Sequence, residues 1–238
     1  MDPVAIRTLQ EMKRQGRKIV GVVAWDTPMA AIAERAGADL VSAGDSVGVN
    51  LWGRAEDEPV SIAEMLIVCK AVRRGVKRAL LSCDLPSGSL DDARRLVEEA
   101  GADIVKVYGS PKMIATMASA GIPVFAKFHG GRPVAELVAE ARRLEEAGAA
   151  LLDFRHSGPD AGAAVAKAVS IPVLGGLGGG PWLDGRMRMA HAAIGYAASW
   201  LDSQAETYAN VARISYQALN EYVADVRAGR QLKGQRRG

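Results

Sequence analysis

The chain is 238 residues long, which is typical of one large domain, and 49% of its residues are hydrophobic, which excludes a disordered chain. Its formal net charge of +3 comes without a basic stripe interleaved with aromatic residues, so nucleic-acid binding is not predicted. Two cysteines are too few for a disulfide framework, and neither an apolar signal region nor an apolar run of roughly 18 residues is present, so we expect a cytoplasmic protein without a membrane span.

Short apolar runs alternate along the chain with segments that carry helical spacing. The runs predict seven strands, at Ile19 to Trp25, Leu40 to Gly44, Ala79 to Asp84, Ile104 to Gly109, Val124 to Phe128, Leu151 to His156 and Val173 to Gly176. Helices are predicted between them, including Ile62 to Arg74, Asp91 to Ala100, Val134 to Ala147 and Ala161 to Val169. This alternation indicates a parallel α/β sheet.

The number of units favours a closed (βα)8 TIM barrel over a doubly wound open sheet. An open sheet usually has fewer units and a phosphate loop after its first strand, where this chain has Trp25 to Pro28. We expect the eighth strand near Met187 to Tyr196. A C-terminal helix over 197–228 and a basic tail over 229–238 complete a single predicted domain, 1–238.

Polar side chains share one face at the ends of four successive predicted strands. Alternate residues of a strand point the same way, and barrel active sites lie at the carboxyl ends of the strands. The polar residues are Ser82 and Asp84, Lys106 and Tyr108, Lys127 and His129, and Asp153 and Arg155. They predict an active site at the barrel mouth; the alternative is that these groups only pair with one another.

Two aspartates are predicted at the same rim. Asp45 follows the second predicted strand and Asp84 ends the third, so both carboxylates are expected in one place. Two hard oxygen ligands, together with water and a bidentate substrate, suit Mg²⁺. The alternative is that each aspartate caps the loop or helix that follows it.

Several motifs, in order, resemble the ketopantoate hydroxymethyltransferase family of the phosphoenolpyruvate mutase-like barrels. The matching stretches lie between Ile19 and about Gly195, and they include Trp25 to Ala30, Gly44 to Gly48, Asp84 to Ser89, Val105 to Gly109 and Gly121 to Val124. The resemblance implies a homo-oligomeric enzyme that forms or breaks a C–C bond next to the carbonyl of a 2-oxo acid, through a metal-stabilised enolate. The nearest activity is hydroxymethyl transfer to 3-methyl-2-oxobutanoate, with 5,10-methylenetetrahydrofolate as co-substrate.

The resemblance also implies roles for individual residues. Asp45 and Asp84 match the ligands of Mg²⁺ or a similar divalent cation, and Asp84 thereby also lies in the substrate site. Ser46 matches a contact to the substrate carboxylate. Lys106 matches the cation near the enolate oxygen, where a preplaced positive charge stabilises the developing negative charge.

The chain departs from the family pattern at three rim positions. Tyr108 stands where the family has a metal-linked Glu, Arg155 where it has a catalytic Glu, and Lys127 where it has a His. All three changes move the mouth toward positive charge, so Lys127 and Arg155 are predicted to contact the substrate. One alternative is therefore a superfamily lyase or mutase that acts on a dicarboxylate or on a phosphorylated or phosphonylated acid. A second alternative is a non-catalytic barrel subunit.

The loss of the family Glu requires another base. Tyr108, His129, His156 and Asp153 are the candidates by strand position. We favour His129, because imidazole titrates near the working pH and so suits proton abstraction. Tyr108 and Arg155 complete the predicted catalytic set with Lys106.

Overall fold

The computed structural model describes residues 4–56, 58–176, 178–231 and 233–234. Its strands are β1 (Ile19–Ala24), β2 (Leu40–Ala43), β3 (Leu80–Asp84), β4 (Ile104–Tyr108), β5 (Val124–His129), β6 (Leu151–Arg155), β7 (Val173–Gly175) and β8 (Gly185–Met189). Its helices are α1 (Ile6–Arg14), α2 (Thr27–Arg35), α3 (Val47–Asn50), α4 (Ile62–Gly75), α5 (Leu90–Glu98), α6 (Pro111–Ser119), α7 (Val134–Glu146), α8 (Pro159–Ala168), α9 (Ala190–Ile194) and α10 (Val211–Arg227).

The eight strands are parallel and close into a barrel, with β8 hydrogen-bonded to β1. The predicted (βα)8 TIM barrel is therefore confirmed. The seven predicted strands are all present, each with one boundary shifted by a single residue. The predicted helices correspond to α4, α5, α7 and α8.

The eighth strand lies at Gly185–Met189; it begins two residues before the predicted region, overlaps it up to Met189, and is followed by a helix over Ala190–Ile194. Its burial alternates, with Met187 buried and Arg186 and Arg188 exposed. Two arginines in a strand of five residues leave no apolar run, so the pattern that marks the other strands is missing here.

An apolar layer fills the amino-terminal end of the barrel interior. It combines Leu9 and Met12 of α1 with one buried side chain from each strand, namely Ile19, Leu40, Leu80, Ile104, Phe125, Leu151, Leu174 and Met187. A second apolar cluster joins the outer faces of the strands to the helices around them. Because the amino-terminal end is packed with apolar groups, the polar inward positions are left to the carboxyl ends of the strands.

The described residues up to Met189 form one compact unit, and those from Ala190 onward form a second. The prediction of one domain over 1–238 stays a prediction. Helix α10 is present, but it begins at Val211 rather than at Ala197, because Ala197 is extended and the Asn210 side chain accepts the Arg213 backbone N–H at 2.9 Å as a cap. Residues Ala198–Leu201 form a short 3-10 turn instead.

The predicted basic tail, 229–238, falls only partly within the described residues. Arg230 and Lys233 are described, and they pair with Asp225 and Glu221. Residues 235–238, and with them Arg236 and Arg237, lie outside the described residues. Over the part of the chain that the structure describes, none of the helices has the length and apolar character needed to cross a bilayer.

Candidate active site

The two aspartates predicted at the rim converge on one lysine. Asp84 ends β3, and Asp45 lies in the turn after β2, where its backbone N–H donates to Asp84 Oδ2 at 3.1 Å. Lys127 on β5 donates from Nζ to Asp84 Oδ1 at 3.0 Å, and the same Nζ lies 3.6 Å from Asp45 Oδ2. The shared rim position is thus observed, and an ammonium group lies between the two carboxylates.

The turn that holds Asp45 depends on a glycine. A Cβ atom built on Gly44 would lie 2.9 Å from Val23 Cγ1 and 3.5 Å from Asp84 Oδ2. The contact with Val23 is closer than packed atoms come, so a larger residue at position 44 would force the turn to shift relative to its neighbours. Gly44 therefore allows the backbone of Asp45 to approach the carboxylate.

A second buried ion pair lies across the mouth. Lys106 Nζ is 2.9 Å from Asp153 Oδ2, and the exposed fractions of the two side chains are 4% and 0%. Arg155 Nε donates to the same Oδ2 at 3.2 Å, and the Gly176 backbone N–H donates to Oδ1 at 3.2 Å. Asp153 therefore pairs with two of the predicted substrate-binding cations. It also accepts a hydrogen bond from a backbone N–H of the turn after β7.

The charges of the described mouth are balanced, although the substitutions from the family pattern predict a positive pocket. Three carboxylates face three cations, namely Asp45, Asp84 and Asp153 against Lys106, Lys127 and Arg155. Asp153 offsets part of the positive charge that these substitutions bring, because it contacts both Lys106 and Arg155. The structure gives no support to a more anionic substrate.

Tyr108 and His129 form a hydrogen-bonded pair at the outer side of the mouth. The Tyr108 hydroxyl lies 2.6 Å from His129 Nε2, and the two rings are nearly parallel with centroids 5.2 Å apart. The Tyr108 ring also lies 4.7 Å from Lys127 Nζ and 5.4 Å from Arg155 Cζ. With 42% of Tyr108 exposed, the pair is open to solvent beside the buried cations.

The electrostatic surroundings keep the imidazole neutral and the phenol protonated. Burial, and then the neighbouring Arg155 and His156, lower the pKa of His129 below its ordinary 6.5. Burial raises the pKa of Tyr108 above 10, although Arg155 and Lys127 oppose this. At neutral pH His129 is therefore able to accept a proton from a bound molecule, either directly or relayed through the Tyr108 hydroxyl.

The charges of the inner groups are fixed by one another. Burial alone would raise the pKa of Asp84, but Lys127 and Lys106 hold the pKa of Asp84 well below its usual range. The nearby Asp84, followed by burial, raises the pKa of Asp45. Burial opposes the charge of Lys127, yet Asp84 and Asp45 raise its pKa above 10.5. The ammonium and the Asp84 carboxylate therefore stay ionised together.

Two serines complete the interior. The predicted alternation includes Ser82, but it misses Ser42, its neighbour in register on β2. Among the described residues, both hydroxyl oxygens are buried without a hydrogen-bond partner. Ser42 could have been found from the sequence, because strand alternation on β2 predicts that its side chain points into the barrel. Ser46 immediately precedes α3 and its side chain makes no capping hydrogen bond, so its contact with a substrate stays a prediction.

The divalent cation that the resemblance implies would need several oxygen ligands at the mouth. Within the described ranges, no group of three or more His, Cys, Asp or Glu side chains is placed to hold a metal ion. Asp45 and Asp84 are the predicted pair, and Lys127 Nζ contacts an oxygen of each. As placed, these residues do not fit a divalent cation, because an ammonium group already lies where both carboxylates point.

The sequence matches the family profile for ketopantoate hydroxymethyltransferase over residues 3–135 and 127–231. It is 35% identical over 244 residues to the 3-methyl-2-oxobutanoate hydroxymethyltransferase of Geobacillus kaustophilus (strain HTA426), which covers 91% of this chain and 87% of the relative. It is also 35% identical over 252 residues to the enzyme of the same name from Cyanothece sp. (strain PCC 7425 / ATCC 29141), covering 94% and 96%.

Solved structures share the barrel at low sequence identity. A phosphonopyruvate hydrolase complex with oxalate and Mg²⁺ has a TM-score of 0.64 at 17% identity, covering 94% of this chain and 88% of that one. A 2,3-dimethylmalate lyase of the PEP mutase/isocitrate lyase superfamily has a TM-score of 0.65 at 15% identity, covering 94% and 99%. These two likenesses concern the fold alone.

Proposed function

Because this chain belongs to the ketopantoate hydroxymethyltransferase family, we propose that it transfers a hydroxymethyl group to a 2-oxo acid such as 3-methyl-2-oxobutanoate. One observation carries this proposal. The buried Lys106 and Lys127 lie beside the open Tyr108–His129 pair, so groups that stabilise an oxyanion and groups that move a proton share one mouth.

The cations of the mouth bind the substrate in this proposal. Arg155 contacts Asp153 through Nε, and we assign its guanidinium to the substrate carboxylate, which favours bidentate recognition. Ser46 supplies a further contact to that carboxylate. Lys106 and Lys127 face the carbonyl oxygen, and Asp84 positions Lys127.

The Tyr108–His129 pair acts as the base. The proton leaves C3 of the 2-oxo acid and ends on His129, directly or through the Tyr108 hydroxyl, which lies 2.6 Å from Nε2. The electrons of the broken C–H bond form the enolate double bond, and the carbonyl electron pair moves to oxygen. Lys106 stabilises the negative charge there.

The one-carbon unit comes from 5,10-methylenetetrahydrofolate in this proposal. Water adds to the methylene carbon, tetrahydrofolate leaves, and the enolate carbon attacks the formaldehyde that is formed. The new C–C bond uses the enolate electron pair, and the resulting alkoxide takes back the proton held by His129. The reaction therefore closes with the base restored.

Deuterium exchange tests the proton step without the donor. In D₂O, the protein is expected to exchange the C3 proton of 3-methyl-2-oxobutanoate, followed by NMR. Tyr108→Phe keeps the ring but removes the hydroxyl, and we expect exchange to slow by about 10²-fold. Val134→Ala, a change at an exposed apolar residue, is the control and should exchange like the wild type. Absence of both exchange and hydroxymethylated product in the wild type would refute the function.

We also propose a cytoplasmic homo-oligomer. Cys69 and Cys83 are buried free thiols, as expected for a reducing compartment. Helix α10 exposes several large apolar side chains, namely Ile214, Tyr216, Leu219, Tyr222, Val223 and Val226. Exposed apolar side chains in this number are typical of a helix that packs against another protein surface.

A further inference from the structure

The position of Lys127 is unusual for a site built to bind a divalent cation. Its side chain is 3% exposed, and Nζ lies 3.0 Å from Asp84 Oδ1 and 3.6 Å from Asp45 Oδ2. Lys127 lies on strand β5 rather than on a loop, so the barrel fixes the backbone position from which its side chain extends. Lys127 Nζ also lies over the Tyr108 ring, 4.7 Å from its centroid.

A metal ion and this ammonium would compete for the same oxygens. Magnesium needs oxygen ligands at about 2.0–2.1 Å in a near-octahedral arrangement. One oxygen of Asp84 accepts from Lys127 and the other accepts from the Asp45 backbone N–H at 3.1 Å. A divalent ion at these oxygens would therefore lie next to a buried ammonium, and repulsion between like charges is strong where water is excluded.

The described part of the mouth offers no third acidic or imidazole side chain to offset this repulsion. Within the described residues, no third acidic, His or Cys side chain joins the two aspartates in a metal-binding group. Lys106 is held 2.9 Å from Asp153, which adds a second ammonium to the same buried layer. The charge that a metal would bring is thus already supplied by lysines.

We propose that Lys127 is a built-in cation that replaces the divalent metal, so that this chain binds and activates its 2-oxo acid without a metal ion. The part that concerns the substrate rests on the function proposed above, whereas the exclusion of metal stands by itself. In this proposal Lys127 Nζ contacts the substrate oxygens, and Asp45 and Asp84 hold it as they would hold a metal.

Titration with Mn²⁺, followed by the EPR signal of the free ion, tests the exclusion. The wild type should bind none at this site up to about 1 mM. Lys127→Met removes the ammonium, keeps most of the side chain and frees both carboxylates, so Mn²⁺ should bind at least about tenfold more tightly. The double variant Lys127→Met/Asp84→Asn should lose that gain. Lys112→Met, a change at an exposed lysine of α6, should behave like the wild type.

Two results of the titration would overturn the inference. One is saturable Mn²⁺ binding by the wild type that Asp84→Asn abolishes. The other is a folded Lys127→Met variant that binds no more Mn²⁺ than the wild type, because the ammonium would then not be what excludes the metal. If Lys127→Met does not fold, comparison of the wild type with Asp84→Asn still decides. Mn²⁺ binding that the wild type shows and Asp84→Asn loses overturns the inference, whereas absence of Mn²⁺ binding in the wild type supports it.

Calorimetry with 3-methyl-2-oxobutanoate separates this inference from the proposed function. Binding in the presence of EDTA that Mg²⁺ does not tighten supports the built-in cation. Binding that requires Mg²⁺ overturns it and leaves the proposed function standing. Absence of binding under both conditions counts against the proposed function, and the Mn²⁺ titration alone then decides the exclusion of metal.

Discussion

Asp153 neutralises two cations that reach it from different positions of the mouth. Lys106 and Arg155 both contact its Oδ2, and its side chain is fully buried. Asp153→Asn would leave a buried ammonium without its counter-charge, which costs about 3–5 kcal/mol of unfolding free energy when a buried pair is broken. Urea unfolding followed by circular dichroism measures this loss.

The matched control for Asp153→Asn is Glu99→Gln, because Glu99 pairs with Arg95 at the surface and both side chains are nearly half exposed. A surface pair contributes about 0–1 kcal/mol, so this variant should unfold close to the wild type. Equal stability of the two variants would mean that Asp153 is not the counter-charge of the buried cations.

The depressed pKa of His129 sets the expected pH dependence of proton exchange. Its neutral form is the base, and burial with Arg155 and His156 lowers its pKa below 6.5. The exchange rate should therefore rise with pH and reach half its maximum below pH 6.5. At higher pH, once His129 is neutral, the rate should stay constant. A rate profile, together with NMR titration of the His129 ring protons, measures the midpoint.

Removal of one neighbour tests the cause of that shift. His156→Asn deletes an imidazole whose ring centroid lies 6.0 Å from that of His129. Asparagine is suited to the positive φ of 51° at this position. The midpoint should move upward toward 6.5, and an unchanged or lower midpoint would show that His156 does not contribute.

The sequence predicts which side chains face the mouth, because strand alternation alone decides it. The pairing among them was not predictable. Lys106 on β4 pairs with Asp153 on β6, whereas Lys127 on β5 pairs back with Asp84 on β3. These partners lie two strands apart, so the pairing depends on the stagger of the closed barrel rather than on local sequence.

At the scale of the elements, the amino-terminal cap of α4 depends on a titrating carboxyl group, that of Glu64. The Ser61 hydroxyl accepts the Glu64 N–H while Glu64 accepts the Ser61 N–H, and Arg54 pairs with the same carboxylate. The Arg54 contact and the Ser61 bonds lower the pKa of Glu64 from 4.5 to about 2. This contribution to stability is present above pH 4.5 and is lost as the pH falls toward 2.

Glu64→Gln tests that contribution, since it removes the titrating group and keeps the shape. The difference in Tm between wild type and variant should be constant above pH 4.5 and should shrink between pH 4.5 and 2. A difference that widens on acidification would contradict the capping role.

Local pattern predicts most elements well, and the exceptions have physical reasons. Strands β1 to β7 carry apolar runs, but β8 is held by pairing with β1 and β7 despite two exposed arginines. The predicted start of α10 is too early, because Ala197 is extended and the Asn210 cap sets the first turn of the helix at Val211. Pairing between strands is tertiary information, and a cap is a local hydrogen bond; hydrophobic periodicity contains neither.

At the scale of the whole molecule, burial is divided between the two ends of the barrel. The amino-terminal layer is apolar throughout, whereas Lys106, Lys127, Asp84 and Asp153 are buried toward the other end. Buried ion pairs contribute little net stability compared with apolar packing. The apolar layer therefore stabilises a fold whose opposite end keeps charged groups for chemistry.

The exposed stripe of α10 leads to a prediction about assembly. Tyr216, Leu219, Val223 and Val226 recur at spacings of three and four, so they share one helix face, and all four are exposed. If copies of the chain associate through this face, Leu219→Glu/Val223→Glu should lower the sedimentation coefficient to that of a smaller assembly, because charges would be buried without partners. The variant Gln217→Glu changes charge off the stripe and should sediment like the wild type. A wild-type monomer, or an assembly that the double variant leaves intact, would show that this face does not join the subunits.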